Sequence, residues 1–343
     1  MIINKMAFFI HDLELINHFS CLWELLPQGT FDIIYHHAYL SKEDAVVFNR
    51  YNCQVVSAEN LIQKNIKYQY LVSNHPIDAN IIKQLANFNI RFMYAAGKIN
   101  WNLATWNNLY DVILCFGPYH AAAFTNNTKA IVIQMGYPRF DKYFNFPTSR
   151  AILLSRYNCD PLKKTVVWLP TWKEISSVGY FDKEISALTK NYNVIVKLHP
   201  MMKNDEPQRV TVLMQHYFTK VITDASDNVP LYQLADFMLF DYGGPPFAGI
   251  YTNKHFVLLN VEGAAKNNLT GQNSPDVFIH KHLINVNAED GNIAGILENM
   301  TLLREQAVIC NSLKNIFFAP YFGFASQIAA KILLHLDYII ANR

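Results

Sequence analysis

Four points in the second half of this chain carry residues able to handle a phosphate group. They are Pro170-Thr171-Trp172-Lys173, Lys197-Leu198-His199-Pro200, Thr223-Asp224 and Asp241-Tyr242-Gly243-Gly244. Lys173 offers a cation, and His199 a hydrogen-bond donor or a cation. The Asp241–Gly244 stretch joins an apolar run, FMLF, to a segment of small residues that reads as a helix start. Unpaired N–H groups and the positive dipole end at such a start favour an anion, and two glycines let a diphosphate come close to the backbone. Each feature alone has a plainer explanation. DYGG is equally a tight turn, His199 a capped histidine before proline, and Lys173 a solvated side chain. Their coincidence favours the phosphate reading.

The first half carries candidates for proton chemistry near its own strand ends. A neutral imidazole can take the proton of an attacking hydroxyl. His75 lies in SNHP just after the apolar run YQYLVS and is the preferred base. His36 and His37 end DIIY in the same way, Asp141 lies in GYPRFD, and Gly97-Lys98 form a further turn after a strand.

The elements that must position these residues are apolar runs alternating with helical patterns. In the first half the runs are 7–10, 32–36, 53–57, 68–73, 90–95, 111–117 and 130–136, with a helix expected over 77–88. In the second half they are 164–170, 193–200, 220–224, 237–241 and 255–260, with a short helix over Pro230–Ala235. Continuous apolar runs alternating with helices indicate parallel strands buried on both faces. Ligands of such sheets collect outside the carboxyl ends of the strands, where all the candidates fall. The spacing predicts two α/β halves, an N-terminal Rossmann-like one (1–150) and a C-terminal one (151–325), which the family resemblance given below would make the acceptor domain and the nucleotide-donor domain. A closing amphipathic helix (326–343) is predicted to pack back on the first, with Ile328, Ile332, Leu336 and Ile339 at helical spacing.

Composition narrows the partners. The chain has 343 residues, enough for two domains, and is 51% hydrophobic. Lys plus Arg number 29 against 27 Asp plus Glu, with no basic run, which argues against nucleic acid. Only 16% of residues are charged and 14% are aromatic, which would suit a partner or a membrane surface. Five scattered cysteines without a CxxC pair read as reduced thiols in a cytoplasmic protein. No stretch reads as a signal peptide or a spanning helix, so the expectation is a cytoplasmic protein, with peripheral contact at the inner membrane face.

Taken together, PTWKE, VIVKLHP, the block LYQLADFMLFDYGGPPFAGIYTNKHFVLLN and MGYPRFDKYF resemble the CDP-glycerol glycerophosphotransferases, which build teichoic-acid-like and capsular polymers. The tail FFAPYFGFASQIAAKIL is similar to that family's closing segment. The resemblance runs over roughly residues 85 to 335. It implies a GT-B fold, two Rossmann-like domains with parallel sheets facing across a cleft. It also implies a transferase moving a polyol-phosphate or glycosyl unit from a nucleotide-activated, CDP-glycerol-like donor to a surface-glycan or lipid-linked acceptor. His199 would then sit by the donor diphosphate, Asp241, Tyr242, Gly243 and Gly244 would form the phosphate turn, and Thr171 with Lys173 would line the opposite wall. Gly97 and Lys98 would face the acceptor. No metal or other cofactor is implied, since helix termini and basic side chains would neutralise the leaving phosphate.

Three departures stand out. Glycines replace the family's tandem serines at 243 and 244. Lys173 stands where arginine is common and gives up its bidentate fork. Ala96 occupies the place of the family's acceptor-side histidine, which leaves His75 as the substitute. Two further readings stay open: a sugar-nucleotide 2-epimerase-like enzyme on the same fold, and a non-catalytic binding or assembly protein.

Overall fold

The computed structural model describes residues 1–38, 40–267 and 270–342. The chain forms two compact units: residues 1–94, 103–144 and 316–343 make the first, and residues 95–102 and 145–315 the second. Residues 95–102, which the sequence assigns to the N-terminal domain with Gly97 and Lys98, thus belong by their contacts to the second unit. The chain passes from the first unit to the second after Phe144.

The first unit is built on a sheet of β1 (Ile2–Ile10), β2 (Phe31–Tyr35), β3 (Val55–Ser57), β4 (Lys67–Ser73), β5 (Ala86–Phe92), β6 (Val112–Cys115) and β7 (Ile131–Gln134). Their order is β3-β2-β1-β4-β5-β6-β7, every pair parallel. β2 and β6 are buried along their whole length, as runs covered on both faces must be. The helix expected over 77–88 stops at Leu85, because Ala86 and Phe88 pair with Tyr68 and Tyr70 and begin β5. Pairing to a neighbouring strand has overridden a local helical pattern.

The second unit carries β8 (Lys164–Leu169), β9 (Tyr192–Lys197), β10 (Lys220–Ile222), β11 (Phe237–Phe240), β12 (Phe256–Leu259) and β13 (Asn285–Val286). They are ordered β10-β9-β8-β11-β12-β13, again all parallel. Its core surrounds Trp168, Val196, Leu239, Val257 and Leu259. The sheet reverses direction of growth twice over: in the first unit between β1 and β4, in the second between β8 and β11. These switch points open a crevice at the carboxyl ends of the strands.

The tail is two helices, Ala325–Leu334 and Leu336–Ala341, interrupted at His335. Arg343, at the end of the expected closing helix, lies outside the described residues. The tail packs on the first unit, against the helix Ile16–Trp23. Its buried stripe is Ala325, Ala329, Ala330, Leu333 and Leu336, while Ile328, Ile332 and Ile339 are only half-buried. Small residues at the contact let the helices approach closely, which a stripe of isoleucines would prevent. Asp141 of GYPRFD accepts from the N–H groups of Ala325 (3.1 Å) and Ser326 (2.6 Å). It therefore caps the tail helix and is not available as a base.

Candidate functional site

In the second unit the switch point is spanned by one carboxylate. Phe240 pairs with Leu169, so Asp241 leaves β11 beside the residues that leave β8. Asp241 is fully buried and accepts from Thr171 N–H (2.8 Å), Ser177 N–H (2.8 Å), Ser177 Oγ (2.8 Å) and Tyr242 N–H (2.8 Å). Ser177 Oγ also accepts from the core indole of Trp168 at 3.0 Å. Burial pushes the Asp241 carboxyl up to about 6, against these hydrogen bonds, which favour the charged form. Asp241 is thus the post that holds the PTWKE loop to the DYGG turn.

The two other strand ends meet this loop. The His199 imidazole stacks on the Trp172 indole, with centroids 4.9 Å apart and planes 6° apart. The Lys173 ammonium lies 4.1 Å from the centroid of the same indole. His199 Nδ1 accepts from Met201 N–H at 3.3 Å, which leaves Nε2 as the nitrogen carrying the proton when the ring is neutral. Lys173 itself has φ +60°, a left-handed conformation held at both ends: its N–H donates to Glu206 Oε2 (2.8 Å) and its carbonyl accepts from Arg209 (2.8 Å). Lys197 is buried and donates from Nζ to the Asp224 carbonyl at 2.6 Å, which ties the end of β9 to the end of β10.

The DYGG turn differs from a cluster of free backbone donors. Gly243 has φ +99°, a conformation that requires glycine. Its N–H donates to Asp276 Oδ1 at 3.1 Å. The helix that follows, Pro245–Tyr251, begins with two prolines, which have no N–H. Between Gly243 and Pro246 this leaves the N–H of Gly244, whose Cβ position faces open space.

Asp276, fully buried at the start of the helix Pro275–His282, is a residue the motifs did not reveal. Its Oδ2 accepts from Lys98 N–H at 2.9 Å, and a Cβ on Gly97 would collide with its carboxylate. Gly97 and Lys98 are therefore built against the DYGG turn through Asp276, within the second unit. Burial raises the Asp276 carboxyl to about 6, against the Lys98 N–H and the nearby Lys98 charge. Burial lowers Lys98, opposed by Asp276 and Asp241 and assisted by Lys173. Tyr242 stacks on His280 at 4.1 Å and 2°, and His280 in turn faces the Asp241 carbonyl (3.0 Å) and Asn260 Oδ1 (2.7 Å). The Thr171–Asp241 hydrogen bonds thus join the loop that carries Lys173 and the Trp172–His199 stack to a turn whose geometry is fixed by two buried carboxylates, with Lys98 tied to the same turn through Asp276.

In the first unit the histidine candidates separate. His36 and His37 turn to Glu59, whose Oε1 lies 3.3 Å from His36 Nδ1 and accepts from His37 N–H at 2.9 Å. His75 follows β4 and lies half-buried, with Nε2 2.7 Å from the Tyr94 hydroxyl. Ala96, in place of the family histidine, is buried.

The matching family is that of CDP-glycerol:poly(glycerophosphate) glycerophosphotransferases. Its model matches residues 102–254, so the resemblance drawn from the motifs holds across that stretch. Comparison with curated proteins finds no match. Among solved structures, the wall teichoic acid polymerase TagF, as a histidine-to-asparagine variant soaked with CDPG, superposes with a TM-score of 0.71 at 13% identity, over 99% of this chain and 89% of that one. MnaA of S. aureus with UDP gives 0.61 at 11% identity, over 99% and 97%. HepE of Anabaena with UDP-glucose gives 0.59 at 11% identity, over 97% and 99%. The fold is of the GT-B type. No helix among the described residues is long and apolar enough to cross a membrane.

Proposed function

We propose that the chain is a transferase that holds a nucleotide-activated donor at the β8/β11 switch point of its second unit. It passes a polyol-phosphate or glycosyl unit to a cell-surface glycan or lipid-linked acceptor. One observation carries the reading: PTWKE, KLHP and DYGG, separate in sequence, meet through the Thr171–Asp241 hydrogen bonds and the His199–Trp172 stack. The family match and the TagF structure soaked with CDPG support a CDP-glycerol-like donor, and the UDP-bound MnaA and HepE structures support nucleotide binding on this fold.

In this reading the donor diphosphate lies over Gly244 N–H, between the Lys98 and Lys173 ammonium groups, with His199 Nε2–H and Thr171 Oγ donating to its oxygens. These groups stabilise the charge that develops on the leaving phosphate. The step needs neither metal nor organic cofactor. The donor is a cytoplasmic metabolite by class, and the polymer-building acceptor sits at the inner face of the membrane.

Donor binding tests this. CDP-glycerol, CDP-ribitol, UDP-sugars and CMP-sugars are added separately at millimolar concentration while thermal unfolding is followed. A ligand at about 100 times its Kd stabilises by about 2.7 kcal/mol, a rise of several degrees. At least one nucleotide donor raises Tm in the wild type, and His199→Ala with Lys98→Ala abolishes the rise. A flat response to every donor in the wild type rejects the reading.

A further inference from the structure

The phosphate turn proposed for the second unit is clipped by an anion. Asp276 is fully buried, and its two oxygens accept from Gly243 N–H (3.1 Å) and Lys98 N–H (2.9 Å). The fit is close: a Cβ on Gly97 would lie 2.2 Å from Oδ2, so the carboxylate has no room to retreat on that side. A second buried carboxylate, Asp241, opens the same turn, but its charge is met by four donors: Thr171 N–H, Ser177 N–H, Ser177 Oγ and Tyr242 N–H. Asp276 has two among the described residues, both from the segments that form the proposed phosphate site. A phosphate arriving at Gly244 N–H therefore meets a carboxylate bonded to the preceding residue of the turn. Buried like charges at such a distance repel strongly, and the cheapest relief is to neutralise one of them.

We propose that Asp276 takes up a proton from solvent as the nucleotide donor binds, so that the turn exchanges one negative charge for another. This deepens the transferase reading and rests on it. The ligand is the diphosphate of a nucleotide-activated donor, and Asp276 is a positioning residue that holds the turn in both charge states. No covalent bond between heavy atoms is made or broken, and the complex holds one proton more than the free protein and donor.

The surroundings suit the uptake. Burial already holds the Asp276 carboxyl at about 6, against the Lys98 N–H, the Lys98 charge and the Gly243 N–H. A phosphate beside it raises it further, since like charge favours the neutral form. The charged and titratable groups that face Asp276 are Lys98 from residues 95–102, Tyr242 and Asp241 from the turn, and Lys173 through Lys98. On its own helix, His280 stacks on Tyr242. Burial raises Tyr242 to about 12 and lowers His280 to about 4, so neither changes charge near neutral pH. Burial also brings Asp241 to about 6, but its four donors belong to the PTWKE loop and the turn backbone and stay with it whatever binds. In the free protein the Asp276 carboxyl ionises above about pH 6, and in the complex only at a higher pH. Between these limits the complex binds one proton more, so donor affinity weakens as pH rises, by up to about tenfold per pH unit, and levels off below about pH 6.

The test titrates CDP-glycerol, and separately UDP-glucose, into the full chain by calorimetry in two buffers of different ionisation enthalpy. In the wild type near neutral pH, the buffer dependence gives uptake of about 0.5–1 proton per donor, and Kd rises about tenfold or more between about pH 6 and 8. Infrared difference spectra gain a protonated-carboxyl band when the donor is added. Asp276→Asn, neutral at every pH, loses the uptake and the band, and its Kd changes by less than about twofold over the same range. If that variant does not fold, the proton count and the band in the wild type still decide. Donor binding without proton uptake overturns this inference alone. Uptake without the carboxyl band, or uptake that survives in Asp276→Asn, places the proton on another group such as His199 or Lys98 and also overturns it. Absence of donor binding in the wild type overturns the transferase reading and this one with it.

Discussion

Asp276 Oδ1 accepts the N–H of Gly243 at 3.1 Å while Asp276 Oδ2 accepts the N–H of Lys98 at 2.9 Å. A carboxylate thereby occupies the donors that an incoming phosphate would otherwise use, and clips residues 95–102 to the DYGG turn. It fixes the turn in shape and spends one of its donors. In the proposed donor site this leaves side-chain cations and the N–H of Gly244 to meet the phosphate.

The glycine pair separates by conformation. Gly243 sits at φ +99°, so Gly243→Ser forces an L-residue into a disfavoured region and costs about 1–3 kcal/mol. Gly244 has φ −75° and open space at its Cβ, so Gly244→Ser leaves stability within about 0.5 kcal/mol. The added hydroxyl also tightens CDP-glycerol binding. Urea unfolding of both variants and calorimetry on the second check this; equal destabilisation by both substitutions contradicts it.

The Lys173–Trp172–His199 stack is a joint between two strand ends, and its loss should appear in binding before stability. Trp172→Ala frees the imidazole to rotate and weakens CDP-glycerol binding about tenfold, equivalent to about 1.4 kcal/mol and within the range of an aromatic stack. Lys98→Met produces a comparable loss at low salt that shrinks as ionic strength rises, because its contribution is electrostatic. Calorimetric titrations at two salt concentrations decide both.

Much of this was legible in the chain, for physical reasons. Parallel strands are buried on both faces, so their apolar runs are unbroken and their polar ends conspicuous: Thr171, Lys173, His199 and Asp241 all lie where such ends fall. Asp276 was not legible. It lies 33 residues beyond Gly243, in a helix whose start is visible in Ser274-Pro275 but whose carboxylate finds its partners only through packing. β13, two residues long, falls below any periodic signal, and β5 begins inside a helical pattern because β4 supplies its hydrogen bonds. The hydrophobic stripe of the tail was read by size, whereas the packed face selects alanines.

Asp141 is a cap, and its removal should act on the tail. Asp141→Ala leaves the Ala325 and Ser326 N–H groups at the start of the tail helix without their carboxylate and costs about 1–2 kcal/mol. Limited proteolysis then cuts the C-terminal segment faster than in wild type, while donor binding in the second unit is unchanged. A drop in donor binding with no change in proteolysis assigns Asp141 a role in the site instead.

Asp276 makes stability depend on pH in a direction that can be stated in advance. Its folded pKa of about 6 exceeds the 3.8 of an ordinary aspartate, so the folded state binds the proton more tightly. That contribution is fully present below about pH 4 and is lost as pH rises through about 6. Asp276→Asn removes the titration and gives up one of two accepted hydrogen bonds, since an amide has one oxygen. The stability of wild type minus that of Asp276→Asn therefore falls between pH 4 and pH 7, by up to about 3 kcal/mol at 1.36 kcal/mol per pKa unit. The histidines with lowered pKa and the other buried carboxylates titrate in both proteins and largely cancel in this difference. Urea unfolding at pH 4.5, 5.5 and 7 measures it, and a difference that stays constant or grows with pH shows that Asp276 is charged throughout and held by Lys98 more strongly than burial opposes it.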